Sequence, residues 1–314
     1  MADILVMLKT TEGDNYSLDG ITSFTFKKDK YTPYTRLSLS VQDYGGIIPK
    51  NAVFNRVSFF IDHSMVHDGL IDSSDYRTQK GASVLNISSR SFTSLLLDNQ
   101  MIPGIHSNMT LERLMTEYYD LPVQIKWEND ASVCSYIYVK EHRSMWDSVV
   151  NLGYKLYGTY PYIRSANTIY LKPHSGAYTR KFMKREMLAF GTSVNTQGII
   201  SDFHMQDIEG NYDTYNLTNP DADELYIVRH KQIPFDRQYL DDPSESMRLS
   251  FNLTSKAWKK RYITVSGYYP LDINDYTGAE GFFETERICG VAVSGNSKGI
   301  QSTYFVYDDN FHSL

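Results

Sequence analysis

Apolar positions in the first ninety residues recur with a period of two. In "TRLSLSVQD" Leu37, Leu39 and Val41 alternate with Arg36, Ser38 and Ser40, and in "RVSFFID" Val57, Phe59 and Ile61 fall on one side. Successive side chains of a strand point to opposite faces, so this spacing predicts antiparallel strands with one face buried. Turn signals separate them at Tyr44-Gly45-Gly46, His63-Ser64 and Lys80-Gly81. Several short strands at this spacing predict a sandwich or small barrel. In "VLNISSRSFTSLLLDNQMIPG", Val84 to Gly104, the alternation runs to Ser89, and after Ser91 the leucines bunch as on one turn of helix, with Arg90 at the change.

Beyond Gly104 the period lengthens. "NMTLERLMTEYYDLP" sets Leu111, Leu114, Met115 and Tyr118 at helical spacing, with Asn108 as N-cap and Pro122 past the end. "SMWDSVVNLGY" repeats the pattern, with Trp146, Val149 and Val150 on one face, Ser144 and Asp147 as a capping box and Gly153 at the C-cap. Around these helices "VQIKW", "SYIYV", "YKLYG" and "NTIYL" read as strands. From about residue 175 β character returns in "DELYIVRH", "RYITVSGYY", "ERICGVAVSG" and "IQSTYFVYDD", the last two joined by a hairpin loop from Gly295 to Gly299. Asp242 to Trp258 fits two descriptions: Asp242-Pro243-Ser244-Glu245 starts a helix, whereas "MRLSFNL" alternates like a strand. The pattern predicts a mainly β protein with an α+β insert, divided as 1–99, 100–174 and 175–314.

Composition narrows the function classes. The 314 residues are 41% hydrophobic and 22% charged, enough to bury a core, and the net charge is -6. An acidic balance, with Lys259-Lys260-Arg261 as the longest basic run, argues against nucleic acid as a partner. No window approaches the roughly 20 apolar residues of a membrane span, and "MADILVMLKTTEGD" lacks a basic start and a long apolar stretch, which predicts folding in the cytoplasm. Cys134 and Cys289 lie far apart without CxxC spacing, and are expected to be small buried residues, not zinc ligands or a disulfide framework. The 25 tyrosines stand out, because tyrosine suits half-buried strand surfaces and protein interfaces.

Candidate chemistry is sparse. His63 and His67 in "DHSMVHD" are four apart, but on a strand that spacing is roughly 13 Å, too far for one metal ion. Asn219 to Glu224, "NPDADE", gathers Asp221, Asp223 and Glu224 without the order of a calcium loop, and reads as a solvated acidic turn. Glu186 and Glu286 are conceivable as a glycosidase pair, although acids flanked by basic residues usually form surface ion pairs. "YGTYPYI", Tyr157 to Ile163, offers either a sugar-stacking platform or core and interface packing. No GxSxG, GxGxxG or Walker-type loop occurs, so no catalytic, cofactor-binding or metal residue is assigned and no cofactor is expected.

Three stretches carry a resemblance: "ISSRSFTSLLLD" at 87–98, "MWDSVVNLGYKLYGTYPYIRSANTIYLKP" at 145–173 and "ERICGVAVSGNSKGIQSTYFVYDD" near the end. In this order the chain resembles the baseplate hub proteins of contractile phage tails and related injection systems, the family of late control protein D, the VgrG hub region and XkdQ-like tail proteins. The resemblance implies two β-barrel-like tube domains flanking a small LysM-like domain. It also implies a non-enzymatic homotrimeric ring that adapts a hexameric tail tube to a trimeric central spike, with other baseplate proteins as further partners, in a phage or a headless tail-like particle. The tyrosine surplus would then belong mainly to subunit interfaces. One departure is "PLDINDYTGAEG", which lacks the Pro-Gly-Asp turn often found in the second tube domain. The alternative from another class is a carbohydrate-binding or peptidoglycan-degrading tail component built on "YGTYPYI" or on Glu186 and Glu286.

Overall fold

The period-two stretches at the N-terminal end form seven strands: β1 (Ile4–Thr10), β2 (Asn15–Leu18), β3 (Ile21–Asp29), β4 (Arg36–Asp43), β5 (Phe54–Ile61), β6 (Ser64–Gln79) and β7 (Ala82–Ser91). The computed structural model describes residues 3–307, apart from 45, 50, 80, 120, 122 and 241. The expectations placed on Gly45, Lys80, Pro122 and the Asp308-Asp309 end of the last β stretch lie outside the described residues. The β5–β6 turn is Asp62-His63, both at positive φ, one residue earlier than predicted. At Gly69 in β6 a Cβ would lie 2.0 Å from the Arg90 carbonyl oxygen, so only glycine lets the two strands approach here.

After β7 the chain turns through a short 3-10 segment, Phe92–Ser94, into α1 (Leu95–Asp98). The middle segment adds β8 (Gly104–Met109), α2 (Leu111–Glu117), β9 (Lys126–Trp127), β10 (Cys134–Val139), α3 (Met145–Tyr157), β11 (Tyr162–Arg164) and β12 (Thr168–Tyr170). Three details of the sequence reading change. The N-cap of α2 is Thr110, whose hydroxyl accepts from Arg113 N, while Asn108 sits at φ 52 in β8. The capping box Ser144–Asp147 forms, but α3 runs through Gly153 and ends at Gly158, whose φ of 64 suits glycine. "YKLYG" is therefore the last turn of a helix, because its Leu152 and Tyr154 continue the buried face of Trp146 and Val149.

The remaining elements are β13 (Thr179–Phe182), β14 (Met187–Val194), β15 (Asp202–Met205), β16 (Tyr215–Thr218), α4 (Pro220–Glu224), β17 (His230–Ile233), α5 (Ser244–Ser255), β18 (Lys259–Ser266), β19 (Tyr276–Ala279), β20 (Phe283–Arg287), β21 (Gly290–Asn296) and β22 (Gly299–Tyr307). Of the two descriptions of Asp242 to Trp258 the helix prevails, since Met247 packs with Phe203 and Met205 at helical spacing. Strands β15, β16 and β17 form a separate three-stranded sheet against α5, a small unit between β14 and β18 that the sequence pattern did not reveal.

The fold is mainly β with a few short helices. Its largest element is one eleven-stranded sheet ordered β14-β18-β22-β21-β3-β4-β7-β6-β5-β1-β2, so both ends of the chain build a single sheet, joined where β21 pairs antiparallel with β3. One core covers its inner face with Val6, Leu8, Leu37, Phe59 and Leu85 from the first part and Ile263, Val293, Tyr304 and Val306 from the last. A second core fills the middle segment and takes in Tyr31, Leu96, Cys289 and Tyr307 from both flanks.

Candidate assembly surface

The structure scatters the residues that suggested chemistry. Arg90 projects from β7 between Asp72 and Asp98, at 3.0 and 3.2 Å, over the Tyr34 ring, and the Asp72 hydrogen bond foremost holds its guanidinium more firmly protonated than usual. It fastens the end of α1 to β6. His63 lies exposed in the β5–β6 turn, whereas His67 is fully buried, so the two are not neighbours on a metal. Asn219 caps α4 by accepting from Asp221 N, and Asp221 accepts from Trp258 Nε1 at 3.1 Å, which makes "NPDADE" a capped helical turn. Among the described residues no group of three or more His, Cys, Asp or Glu is placed to hold a metal ion.

The glycosidase pair and the sugar platform lose their geometry. Glu186 accepts from Met183 N and from Arg180, and its carboxyl is held below the usual range by that backbone bond first, the opposite of what a general acid needs. Glu286 bonds Arg261 at 2.6 Å. In "YGTYPYI" Tyr160, Tyr162 and Ile163 are interior, and Tyr157 bonds Asp130 and Ser132 through its hydroxyl. A ring inside the protein has no free face for a sugar, so this stretch is core. Cys134 and Cys289 are both buried, as expected. Seven of the 25 tyrosines, Tyr31, Tyr154, Tyr160, Tyr162, Tyr239, Tyr304 and Tyr307, are buried within the chain and so serve its own core.

Tyr31 of the β3–β4 connection packs between Tyr160 of the middle segment and Tyr307 of β22, with centroids 4.7 and 6.1 Å away. Beside this aromatic junction runs a polar one. Lys28 donates to Asp272 at 2.7 Å and to the Ser165 carbonyl at 2.7 Å, and Arg164 grips Asp275, which is wholly buried, through both terminal nitrogens at 3.0 Å. Burial pulls the Lys28 ammonium below its ordinary pKa despite Asp272. These pairs tie β3, the β11–β12 turn and the β18–β19 connection together. Sequence offered one signal for them: Lys28 follows Phe24 and Phe26 on the buried face of β3, where a charge needs a partner.

The two ends of the main sheet are the remaining features of note. At one end β14 pairs only with β18 among the described strands. Its Phe190 lies opposite Ile263, and the same row continues through Tyr304, Val291 and Lys28, so Phe190 belongs to the inner, apolar face. Yet Phe190 is 46% exposed, beside Leu188 at 61% and Val194 at 56%. At the other end, the short edge strand β2 adjoins an outward apolar patch in which Leu5 faces Phe60 and Phe60 faces Met65, with Met7 alongside. The ends thus differ: one leaves its inner face partly uncovered, with Phe190 resting on Phe282 at 5.0 Å, and the other presents apolar groups outward. Unpaired edges and uncovered apolar strands are the features by which sheets join other chains.

No protein-family model matches the chain, and no characterised protein matches it in sequence. Solved structures do match in fold. A tail protein from Neisseria meningitidis MC58 superposes with a TM-score of 0.71 at 14% identity, over 98% of this chain and 97% of that one. The 43 kDa tail protein of prophage MuSo2 from Shewanella oneidensis gives 0.70 at 15% identity, over 98% and 99%. The E. coli c3393 protein, a type VI secretion system component with structural similarity to the T4 bacteriophage tail proteins gp27 and gp5, gives 0.54 at 10% identity, over 91% and 73%. From β1 to β22, then, this chain has the fold of phage tail proteins.

Proposed function

We propose that the chain is a structural, non-enzymatic hub protein of a tail baseplate, three copies of which close into a ring between the tail tube and the central spike. The observation that carries this reading is the continuous eleven-stranded sheet with dissimilar ends. Besides pairing either edge with its own copy about a twofold axis, a sheet with two unlike ends can be joined end to unlike end, and we take that second mode. The sheet then joins head to tail, and three such joints at a fixed rotation close a ring. In that ring the exposed face of β14 on one copy meets the β2 end of the next, so Leu188, Phe190 and Val194 leave water. The fold shared with tail proteins over nearly the whole chain supports a tail location, and other baseplate and spike proteins are the partners it implies. The ion pairing of Glu186 and Glu286 gives the peptidoglycan-degrading alternative no support.

Copy number tests the proposal. Quantitative mass spectrometry of purified particles should find about three copies per tail, and six or more, or none, would overturn the ring. Phe190→Asp with Leu188→Asp should leave the purified chain folded but keep it out of particles, and normal incorporation would remove β14 from the interface.

A further inference from the structure

Outside the sheet, the middle segment and the β15–β17 unit enclose a cleft of about 360 Å³ between α3 and α5. Val150, Ile233, Leu249 and Leu253 give it an apolar wall. Its polar lining is rich in donors. Lys231 on β17 donates to Ser250 Oγ at 2.8 Å, and its ammonium is depressed by burial and next by the charge of Arg143. Arg143 has no carboxylate partner among the described residues. The cleft's two carboxylates are already engaged: Asp236 accepts from Lys140 at 2.8 Å, from Ser246 Oγ and from Gln238 N, and Asp147 closes the capping box of α3.

Gln238 also lines the cleft. It is 1% exposed, and its Oε1 accepts from Tyr138 N at 2.7 Å, which fixes the orientation of its amide. Its Nε2 is then a buried donor with no acceptor among the described residues. This amide lies behind the lining, out of reach of a molecule in the cleft. The cleft therefore combines two cations that have no carboxylate partner among the described residues with an apolar wall.

We infer that this cleft is a binding site for a carboxylate carried on an apolar chain, held by Lys231 and Arg143. A monoanion fits better than a phosphate dianion, because Lys140, Arg143 and Lys231 stand against Asp147 and Asp236 and leave a surplus near one positive charge. The same chemistry is available from a small free acid and from the C-terminus of a protein segment that ends in an apolar residue. The inference is independent of the hub reading, since it concerns a cleft away from the ends of the main sheet.

Calorimetric titration of the full chain tests it, with hexanoate, hexanamide, N-acetyl-leucine, a four-residue peptide ending in free leucine, and inorganic phosphate as probes. Hexanoate and both leucine acids should bind saturably and hexanamide should not. Lys231→Met and Arg143→Gln should each weaken binding by about tenfold or more, the size of one lost charged hydrogen bond. Arg143 is exposed, so Arg143→Gln keeps the fold even where Lys231→Met does not. A peptide at least about tenfold tighter than hexanoate assigns the site to a protein terminus, and equal affinities assign it to a free acid. Absence of saturable carboxylate binding up to about 20 mM, equal binding in both variants, or preference for phosphate would overturn the inference.

Discussion

His67 makes the strongest test of the core. It lies on the inner face of β6 with its imidazole wholly buried, Nδ1 2.7 Å from Thr35 Oγ1 and Nε2 2.8 Å from Ser89 Oγ. Ser89 spends its hydroxyl proton on the Leu70 carbonyl at 2.7 Å, so Nε2 must carry the imidazole hydrogen and Thr35 must donate to Nδ1. This arrangement satisfies a neutral ring and has no place for a second proton. Burial first, and then the charge of Lys28, lower its pKa from 6.5 to about 3. Between those values the unfolded chain takes up a proton that the folded chain refuses, so stability falls as the pH falls and is unaffected above 6.5. The loss from this one residue is about 2 kcal/mol at pH 5 and about 3 kcal/mol at pH 4. Urea unfolding of the natural chain and of His67→Asn, from pH 8 to pH 4, isolates it. At pH 8 the variant should be less stable by about 1–3 kcal/mol through the lost hydrogen bond and volume, and the gap should close as the pH falls. Parallel curves for the two proteins below pH 6.5 would refute the assignment of a neutral, buried imidazole.

Three further outcomes follow from the same packing. Gly69→Ala drives a methyl into the Arg90 carbonyl and should cost at least about 1–3 kcal/mol in chemical denaturation. Arg164→Met leaves the buried Asp275 unpaired and should cost about 3–5 kcal/mol, while Arg164→Met with Asp275→Asn should recover part of that loss in the same assay. Ser144→Ala removes a cap of α3 and should lower stability by about 0.5–2 kcal/mol, read as a lower thermal midpoint.

The legibility of this fold follows range. Local signals were readable: Leu37, Leu39 and Val41 gave β4 its buried side, and Ser144 with Asp147 marked the start of α3. Boundaries were less so, because Thr110 caps α2 in place of Asn108 and the end of α3 depends on Gly158, not Gly153. Two features were out of reach. The β21–β3 pairing joins residues far apart in sequence, and nothing in either strand names its partner. The unit of β15 to β17 has strands of four residues each, too short for alternation to register. The candidate surface was hidden for a related reason: Phe190 reads like any buried strand residue until its sheet is seen to stop beside it. Lys231, Arg143 and Gln238 come from separate elements and share a cleft only after folding.

The seam between β3 and β21 also has a meaning in time. A ribosome releases β3 long before β21 exists, so the first seven strands must wait with β3 as an open margin. Folding that depends on such distant pairing is slow, and a waiting margin invites wrong partners. The closing pair of strands, β21 and β22, occupies that margin, bringing Tyr307 against Tyr31 as it does so. A chain cut short before Gly290 lacks the strand that seals the sheet, so its first seven strands and its β14–β18 pair are left without the seam that makes them one sheet.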